Sequence, residues 1–337
     1  MQAIVKNELG DSNIYLKNVD TPALNNNEVL IKVKYAGICG TDLHIMKDEY
    51  PHNPPVIMGH EFSGIVEKAG SECSMFKRGD RVVSITATDT CGLCQYCRKG
   101  QLMFCKHRKS IGSHVDGAFA EYIKLPEDNL YLIPQKVTMK EAALTEPLAC
   151  GVRCIIERGT INPSDRVLIS GCGPIALIAL QVAKTSGAEC VLIGTSKDID
   201  KFELANKLGA IEVFNIEDAS SKNALYEKED FDACIECAGA SASLSTCLDL
   251  VKKQGNIIQM GIYGQKIDVD LDLLLLKEIN YTNGFATEPT SFEIALKLLK
   301  QKAVNVGPLV THCFDIEDYE QAFEKAYKGG IKVLIEP

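Results

Sequence analysis

The sequence lacks any long hydrophobic run, and its longest uninterrupted apolar stretch is Ile175–Leu180. A membrane-spanning helix needs about 20 consecutive apolar residues, so the sequence predicts no such helix. The first residues, Met1–Lys6, enter a strand-like pattern directly, without the charged and apolar regions of a secretory signal peptide. We therefore expect a cytoplasmic protein that does not bind membranes.

Blocks of five or more lysines and arginines are also absent. The 45 acidic residues outnumber the 36 basic ones, so the formal net charge is −9. Nucleic acids attract clustered cationic side chains, and this pattern predicts that nucleic acid is not a partner. The sequence has no internal repeat or low-complexity tract, and its 337 residues, 46% of them hydrophobic, indicate an ordinary globular protein of about two domains.

The first part of the sequence, to about Lys140, is rich in short alternating apolar runs separated by Gly, Pro and Asn. A period of two is typical of half-buried strands, and the turn-forming residues between the runs mark their ends. We therefore expect a β-rich domain. Its predicted strands include Val29–Val33, Phe62–Val66, Arg81–Ile85 and Phe119–Ile123.

From about Glu141 the pattern changes to alternating helices and apolar strands. A helical stretch, Ala142–Ile156, precedes a strand at Val167–Ile169, a glycine-rich turn and a helix over Pro174–Ser186. This alternation predicts a doubly wound parallel sheet, so the fold class is α/β. Further predicted strands are Val191–Ile193, Ala233–Glu236, Asn256–Met260, Ile279–Thr282 and Lys332–Ile335, and further helices are Lys201–Leu208, Leu244–Lys253, Leu271–Leu276, Phe292–Lys300 and Tyr319–Tyr327.

Four of the 14 cysteines fall within one short segment, at Cys91, Cys94, Cys97 and Cys105. Two overlapping C-x2-C turns and a fourth thiol can close a tetrahedral shell of thiolates, which zinc favours and which leaves no position for a substrate. An iron–sulfur cluster uses the same residue types. We expect a structural zinc site, and its negative charge is offset by basic neighbours: Arg98, Lys99, Lys106 and Arg108.

A second set of metal-ligating residues lies earlier in the sequence. One thiol (Cys39), one imidazole (His60) and one carboxylate (Glu61) can form a three-ligand shell for a catalytic zinc with its fourth position open. We expect Asp42 to accept a hydrogen bond from the His60 ring, which fixes the imidazole tautomer. The alternative is that Asp42 caps a turn.

The segment Val167–Ala176 joins a strand to a helix through the pattern G-x-G-x-x-A. Gly171 allows the tight turn, and Gly173 lets the backbone approach a pyrophosphate. The helix that begins at Pro174 and Ile175 would present its free N–H groups and the positive end of its dipole to the phosphates. This context predicts a dinucleotide-binding site.

The second strand of this unit ends in Ile193-Gly-Thr-Ser-Lys-Asp198, without an acid at the position that usually holds the adenosine ribose hydroxyls. Ser196 and Lys197 could hold a 2′-phosphate, which would favour NADP. Alternatively, Lys197 is a solvated loop residue and Asp198 reaches the ribose. The sequence leaves NAD and NADP open.

Together these motifs resemble those of the zinc-dependent medium-chain alcohol dehydrogenase family, over essentially the whole chain. Gly59–Val66 is similar to the zinc signature of the family, and Ala143–Ala149 resembles its polyol branch of sorbitol and polyol-phosphate dehydrogenases. The resemblance implies that Glu146 is a zinc ligand or holds a water at the zinc. It implies that the other ligands of the catalytic zinc are Cys39, His60 and Glu61.

The resemblance also implies the domain arrangement and the cofactors. A GroES-like, β-rich catalytic domain would comprise residues 1–150 and 285–337, with the structural zinc lobe at 91–105, and a Rossmann domain would occupy 151–284. We expect one catalytic and one structural zinc per chain, together with NAD or NADP. The family commonly forms homodimers or homotetramers, often through edge strands near Ile279–Phe285.

The predicted reaction is the reversible oxidation of a secondary alcohol of a polyol or polyol phosphate to the ketose. Thr41 would begin a proton relay that ends at His44. Ile45 and Ala286 stand where sorbitol dehydrogenases tend to carry an aromatic residue and an arginine, which argues against sorbitol, and several segments look closer to bacterial arabitol-phosphate-type dehydrogenases. The alternatives are a zinc-dependent dehydrogenase or carbonyl reductase acting on simple alcohols, ketones or aldehydes, and a non-enzymatic nucleotide-binding protein on the same scaffold.

Overall fold

The computed structural model describes residues 1–228 and 230–337 of the chain. In this part of the chain the strands are β1 (Gln2–Lys6), β2 (Ile14–Asn18), β3 (Glu28–Gly37), β4 (Val56–Ile57), β5 (Glu61–Ala69), β6 (Arg81–Ser84), β7 (Ala87–Thr88), β8 (Lys109–Ser110), β9 (Tyr122–Pro126), β10 (Leu130–Leu132), β11 (Arg166–Ser170), β12 (Glu189–Gly194), β13 (Glu212–Asn215), β14 (Phe231–Glu236), β15 (Val251–Gln259), β16 (Asn280–Asn283), β17 (Val310–Asp315) and β18 (Lys332–Glu336).

The α-helices are α1 (Gly40–Met46), α2 (Met139–Ala142), α3 (Thr145–Val152), α4 (Pro174–Thr185), α5 (Ile199–Leu208), α6 (Ala219–Tyr226), α7 (Ser241–Leu250), α8 (Leu271–Leu276), α9 (Pro289–Gln301) and α10 (Tyr319–Tyr327). A π-helical segment, Arg153–Arg158, continues α3. Of the helices that the structure describes, none combines the length and the apolar character needed to cross a bilayer.

The chain folds into two compact units. The first comprises Met1–Glu146, Thr287–Lys300 and Leu309–Pro337, and the second comprises Pro147–Ala286 and Gln301–Pro308. The segment Gln301–Pro308 differs from the predicted division, which kept 285–337 together. It is tied to the second unit because the Asn305 N–H donates to Gln181 Oε1 at 2.7 Å.

The first unit is built on a sheet with the strand order β10-β6-β5-β3-β18-β17, in which β9 also pairs with β3, and on a smaller sheet with the order β2-β1-β4. Successive side chains of a strand point to opposite faces, and along β3 this alternation buries Val29, Ile31 and Val33. These residues join one hydrophobic core with Phe119 and Phe323. The predicted β-rich domain is confirmed.

The strand register of this sheet brings distant parts of the chain to one point. Gly37, at the end of β3, pairs with Glu61 at the start of β5 and with Leu334 of β18. A Cβ atom on Gly37 would lie only 2.5 Å from Glu61 Oε2, so the close approach requires glycine. The residues that follow β3 therefore meet the first residues of β5 and β18.

The second unit contains a six-stranded parallel sheet with the order β13-β12-β11-β14-β15-β16. This is the doubly wound order of dinucleotide-binding folds. Successive strands are added on one side of β11 up to β13 and on its other side from β14 onwards, so the strand order reverses between β11 and β14. Ligands of such sheets bind beyond the carboxyl ends of the strands at that reversal. The predicted α/β class, with a parallel doubly wound sheet, is confirmed.

Several predicted elements have different bounds in the structure, among them one helix and one strand. The helix predicted over Leu244–Lys253 ends at Leu250, because Val251 has extended backbone angles and is buried as the first residue of β15. The strand predicted over Phe119–Ile123 begins only at Tyr122. Phe119 lies in the loop before it, where its ring contacts Phe323 edge-on at 5.9 Å between centroids.

Candidate functional site

The first candidate metal site lies at the point where β3, β5 and β18 meet. Cys39 precedes α1, and His60 and Glu61 begin β5. The Cys39 thiol, one His60 ring nitrogen and one Glu61 carboxylate oxygen all lie within 4.8 Å of one another. The structure therefore brings together the three side chains that the sequence singled out as a three-ligand shell.

Asp42 is fully buried beneath these groups. Its Oδ2 accepts a hydrogen bond from the Cys39 N–H at 2.8 Å, which caps α1, while its Oδ1 lies 3.5 Å from His60 Nδ1. The geometry thus contains both the turn cap and the contact with His60 that the sequence left as alternatives. A carboxylate at Nδ1 leaves Nε2 as the imidazole atom that can ligate a metal.

Sequence reasoning missed Lys332, the first residue of β18. It is a buried lysine whose Nζ lies 2.9 and 2.7 Å from the two Glu61 oxygens, and it also donates to the Ile38 carbonyl at 3.1 Å. Burial lowers the pKa of Lys332, but the negative groups Glu61 and Cys39 outweigh burial and raise it. The only local signal was a lysine opening an apolar strand, which does not reveal its partner.

The charges of this pocket fit a divalent cation. With Cys39 as a thiolate and His60 as the neutral imidazole that ligates a metal, three negative groups (Cys39, Asp42 and Glu61) face one buried lysine (Lys332), which leaves a net charge of −2. Burial disfavours the charged form of His60, yet Asp42 and Cys39 raise its pKa well above the ordinary value. One thiolate, one imidazole and one carboxylate are a donor set that zinc accepts at catalytic sites. These residues fit a zinc ion.

Glu146 lies in the first turn of α3 and is buried. It is outside the group of three whose ligand atoms lie within 4.8 Å of one another. Its role as a fourth ligand stays a prediction.

The proposed proton-relay residues lie on α1. The Thr41 hydroxyl oxygen is 3.7 Å from the Cys39 sulfur. His44 lies one turn further along, 40% exposed, and its Nδ1 is 2.7 Å from a carboxylate oxygen of Glu49. Sequence reasoning did not single out Glu49, although its separation of five residues from His44 places it just beyond the end of the same helix.

The four cysteines of the 91–105 segment form the second candidate metal site. All four sulfurs lie within 4.8 Å of one another, and two of the sulfur–sulfur distances are 3.9 Å (Cys91 to Cys97) and 3.5 Å (Cys94 to Cys97). A tetrahedron with zinc–sulfur arms of about 2.3 Å has edges of about 3.8 Å. The cluster therefore has the size of a zinc tetrathiolate.

Backbone N–H groups prepare this cluster for a cation. The amides of Cys91, Cys94 and Cys97 each donate to a neighbouring sulfur at 3.4–3.5 Å. Such donors lower the pKa of Cys91, Cys94 and Cys105, whereas burial and the neighbouring thiols raise that of Cys97 to about 11. Four sulfur atoms this close together, several of them favouring the thiolate form, would be stabilised by a bound metal cation.

The candidate dinucleotide site lies at the carboxyl end of β11. Gly171 has a φ of +120° and donates its N–H to the Ile193 carbonyl, so the turn needs glycine. At Gly173 a Cβ atom would meet nothing within 4 Å, which leaves an open cradle in front of α4. Pro174 and Ile175 begin α4, and the free N–H groups of this helix terminus suit a pyrophosphate.

The ribose end of this site follows β12. Both Thr195 N–H and Thr195 Oγ1 donate to Asp198 Oδ2, at 3.1 and 2.9 Å, and Lys201 Nζ lies 2.9 Å from Asp198 Oδ1. Asp198 is thus engaged within its own turn. Ser196 and Lys197 are exposed at the tip of that turn.

Comparison with known proteins identifies the family of the chain. The family model for the alcohol dehydrogenase GroES-like domain matches residues 25–135, and the model for zinc-binding dehydrogenases matches residues 174–301. The chain is 36% identical to the D-arabitol-phosphate dehydrogenase of Enterococcus avium, covering 100% of this chain and 97% of that protein. It is also 36% identical to the sorbitol dehydrogenase of Halalkalibacterium halodurans, covering 100% of this chain and 99% of the relative.

A solved structure shares the whole fold. A Sinorhizobium meliloti 1021 protein, assigned to the zinc-binding dehydrogenases and solved with bound NADP, superposes with a TM-score of 0.91 at 29% identity, covering 100% of this chain and 99% of that chain. These matches agree with the fold and with zinc and a nicotinamide dinucleotide as cofactors. The chain belongs to the zinc-dependent medium-chain alcohol dehydrogenase family, and it is an NAD(P)-dependent oxidoreductase that uses zinc.

Proposed function

We propose that the protein oxidises a secondary alcohol of a polyol or polyol phosphate to the corresponding ketose, in a reversible reaction. The observation that carries the proposal is the Cys39–His60–Glu61 group, in which Glu61 is buried and the thiolate and carboxylate give a surplus of two negative charges. The substrate class is supported by the two relatives at 36% identity, which act on arabitol phosphate and sorbitol as their names state.

When bound, zinc supplies a Lewis acid for the alcohol oxygen and the nicotinamide supplies a hydride acceptor. Cys39 and His60 hold the metal. Asp42 fixes the His60 tautomer, so that Nε2 keeps its lone pair for the metal.

The remaining groups of the site balance the charge of Glu61 and transfer the proton of the alcohol. Lys332 neutralises Glu61, so this carboxylate need not bind the metal permanently and can serve as an additional ligand. Thr41, beside Cys39, takes part in removing the alcohol proton. His44 releases that proton to solvent, because its ring is partly exposed and bonded to Glu49.

The structural zinc site is proposed for Cys91, Cys94, Cys97 and Cys105. A closed four-thiolate shell offers no position to a substrate. Its role is therefore to fix the 91–105 lobe, whose short turns bury little apolar surface of their own: Leu93 is 75% exposed.

We propose a homodimer or homotetramer in the cytoplasm. In the second unit, β16 is an edge strand and the neighbouring α8 exposes Leu271, Leu275 and Leu276. An edge strand beside exposed leucines suits pairing with a second copy. None of the 14 cysteines, all of which lie in the described part of the chain, forms a disulfide, which supports a reducing compartment.

The proposed substrate class is tested by measuring formation of reduced nicotinamide with the zinc-loaded protein. Matched pairs of polyols and their phosphates, such as D-arabitol and D-arabitol phosphate, are compared with simple secondary alcohols such as 2-butanol. We expect kcat/KM for a polyol or its phosphate to exceed that for 2-butanol by at least about 100-fold. Higher kcat/KM for simple alcohols or ketones would contradict the polyol assignment and favour the simple-alcohol alternative.

A further inference from the structure

We infer that Glu217 makes the protein select NAD over NADP, because its carboxylate occupies the hydrogen-bond donors that a 2′-phosphate would need. The inference rests on the proposed dinucleotide site but not on the identity of the alcohol. It resolves the alternative that the sequence left open, in which Ser196 and Lys197 could hold a phosphate.

The turn after β13 is fastened to the turn after β12 by a short hydrogen-bond network. The Ser196 N–H donates to Glu217 Oε2 at 3.0 Å, and Asn215 Nδ2 donates to Ser196 Oγ at 3.1 Å. The Glu217 N–H in turn donates to Asn215 Oδ1 at 3.0 Å, and the Ile216 N–H donates to the Gly194 carbonyl at 2.9 Å. The turn after β13 therefore places the Glu217 carboxylate beside the turn after β12.

Ser196, one of the two residues that could bind a phosphate here, is already engaged by that carboxylate. The N–H and hydroxyl of Ser196 lower the pKa of Glu217, and the charge of Lys197 acts in the same direction. The other nearby cation, Lys201, is paired with Asp198 at 2.9 Å. The exposed turn after β12 thus already holds one anion, Glu217, and one of its two nearby lysines, Lys201, is paired with Asp198.

The electrostatic balance of this corner disfavours a second anion. Residues 196–201, which run from the turn after β12 into the start of α5, and residues 215–218 of the turn after β13 together carry a net charge of −2. The charged residues are two lysines and four acids: Lys197, Lys201, Asp198, Asp200, Glu217 and Asp218. A 2′-phosphate carries a charge of about −1.5 to −2 at neutral pH, so it would meet repulsion and would have to displace Glu217. A ribose hydroxyl, by contrast, is a donor that a carboxylate can accept, which is how acids at this end of the sheet favour NAD.

The position explains why the sequence pattern missed the residue. The dinucleotide-binding pattern places its acid at the end of the second strand, here β12, where this chain has Ser196. Glu217 lies 21 residues later. Only the parallel pairing of Gly194 with Asn215 brings the two turns together. The acid absent from one strand is supplied by the next.

The test is calorimetric titration of the zinc-loaded protein with NAD and with NADP, and with 5′-AMP and 2′,5′-ADP as fragments that differ in the 2′-phosphate. We expect the wild-type protein to bind NAD about tenfold more tightly than NADP. Glu217→Gln should reduce this preference about tenfold, mainly through tighter NADP and 2′,5′-ADP binding, and Glu217→Lys should reverse it. Asp200→Asn, which removes the same charge from an exposed neighbour without the Ser196 contact, is the matched control and should keep most of the preference.

A wild-type preference for NADP, or an NAD:NADP ratio unchanged in both Glu217 variants, would overturn the inference. Circular dichroism melts show whether each variant is folded, and the exposed position of Glu217 predicts unchanged melting temperatures. Binding of neither dinucleotide by the wild-type protein would overturn the dinucleotide site itself. Selective NAD binding without turnover of any alcohol would contradict only the proposed substrate class.

Discussion

Lys332 offers the sharpest test of how charge is arranged around the first metal site. Lys332→Met keeps most of the length and the apolar stem of the side chain but removes the ammonium group that lies 2.7 and 2.9 Å from the two Glu61 oxygens. Glu61 is only 1% exposed, so its charge would be left buried and uncompensated. Breaking one side of a buried pair costs about 3–5 kcal/mol, and we expect the metal-free protein to lose about this much stability.

Zinc binding should respond in the opposite direction. Without Lys332 the net charge of the pocket changes from −2 to −3, so the attraction for a divalent cation increases. We expect zinc affinity at this site to rise by about tenfold or more. We expect kcat to fall, because a Glu61 carboxylate without its lysine would be a stronger ligand for the metal. The assays are denaturant unfolding of the metal-free protein, zinc competition against a chelating dye, and steady-state turnover.

Two further variants separate these effects from a general loss of lysine. Glu61→Gln combined with Lys332→Met removes both charges, and we expect it to recover most of the lost stability. Lys140→Met removes an exposed lysine that lies over the Tyr35 ring at 5.1 Å and should change stability by less than about 1 kcal/mol. A Lys332→Met protein with unchanged metal-free stability, or with weaker zinc binding, would refute the charge argument.

Three other predictions follow from the remaining sites. Cys97→Ser should release one zinc per chain and lower Tm by about 5–10 °C, as calorimetry and metal analysis would show, whereas Cys73→Ser should change neither. Gly173→Ala should weaken NAD binding about tenfold in titrations, because the added Cβ would lie in the cradle in front of α4. Its Tm should not change, because φ is −79° and the Cβ meets no protein atom within 4 Å. Lys6 lowers the pKa of Asp48, so the ionised carboxylate stabilises the fold above the unfolded-state pKa, and this stabilisation is lost as pH falls through the folded-state pKa. Asp48→Asn should therefore flatten the decline of Tm between about pH 4 and pH 2.

Most parts of the site that the sequence predicted have local geometry; the exception is the group of Cys39 with His60 and Glu61, which come from separate segments. The Cys91–Cys105 cluster and the Gly171–Gly173 turn depend on residues a few positions apart, so their spacing almost determines their structure. The parallel sheet was also predictable, because its apolar strands alternate with helices of amphipathic or apolar pattern. The bounds of β15 and β9 were less predictable, because buried apolar residues such as Val251 and Phe119 occur in strands, helices and loops alike.

The parts that the sequence did not predict depend on strand register. Lys332 reaches Glu61 across 271 residues because β18 and β5 both pair with β3. Glu217 reaches Ser196 because β12 and β13 are in parallel register. In both cases a charged residue near the end of an apolar strand has an ordinary local pattern, and its function comes from the neighbour that the sheet provides.

The central claim, that Cys39 and His60 would hold a zinc ion where the nicotinamide oxidises the alcohol, separately from the structural zinc, is tested most directly by one variant. Cys39→Ser is assayed for zinc content per chain and for reduced-nicotinamide formation with the best polyol substrate, beside Cys73→Ser as the control. We predict one zinc per chain instead of two, a nearly unchanged Tm, and loss of turnover by at least about 1000-fold. Two retained zinc ions with turnover close to that of the control would contradict the account.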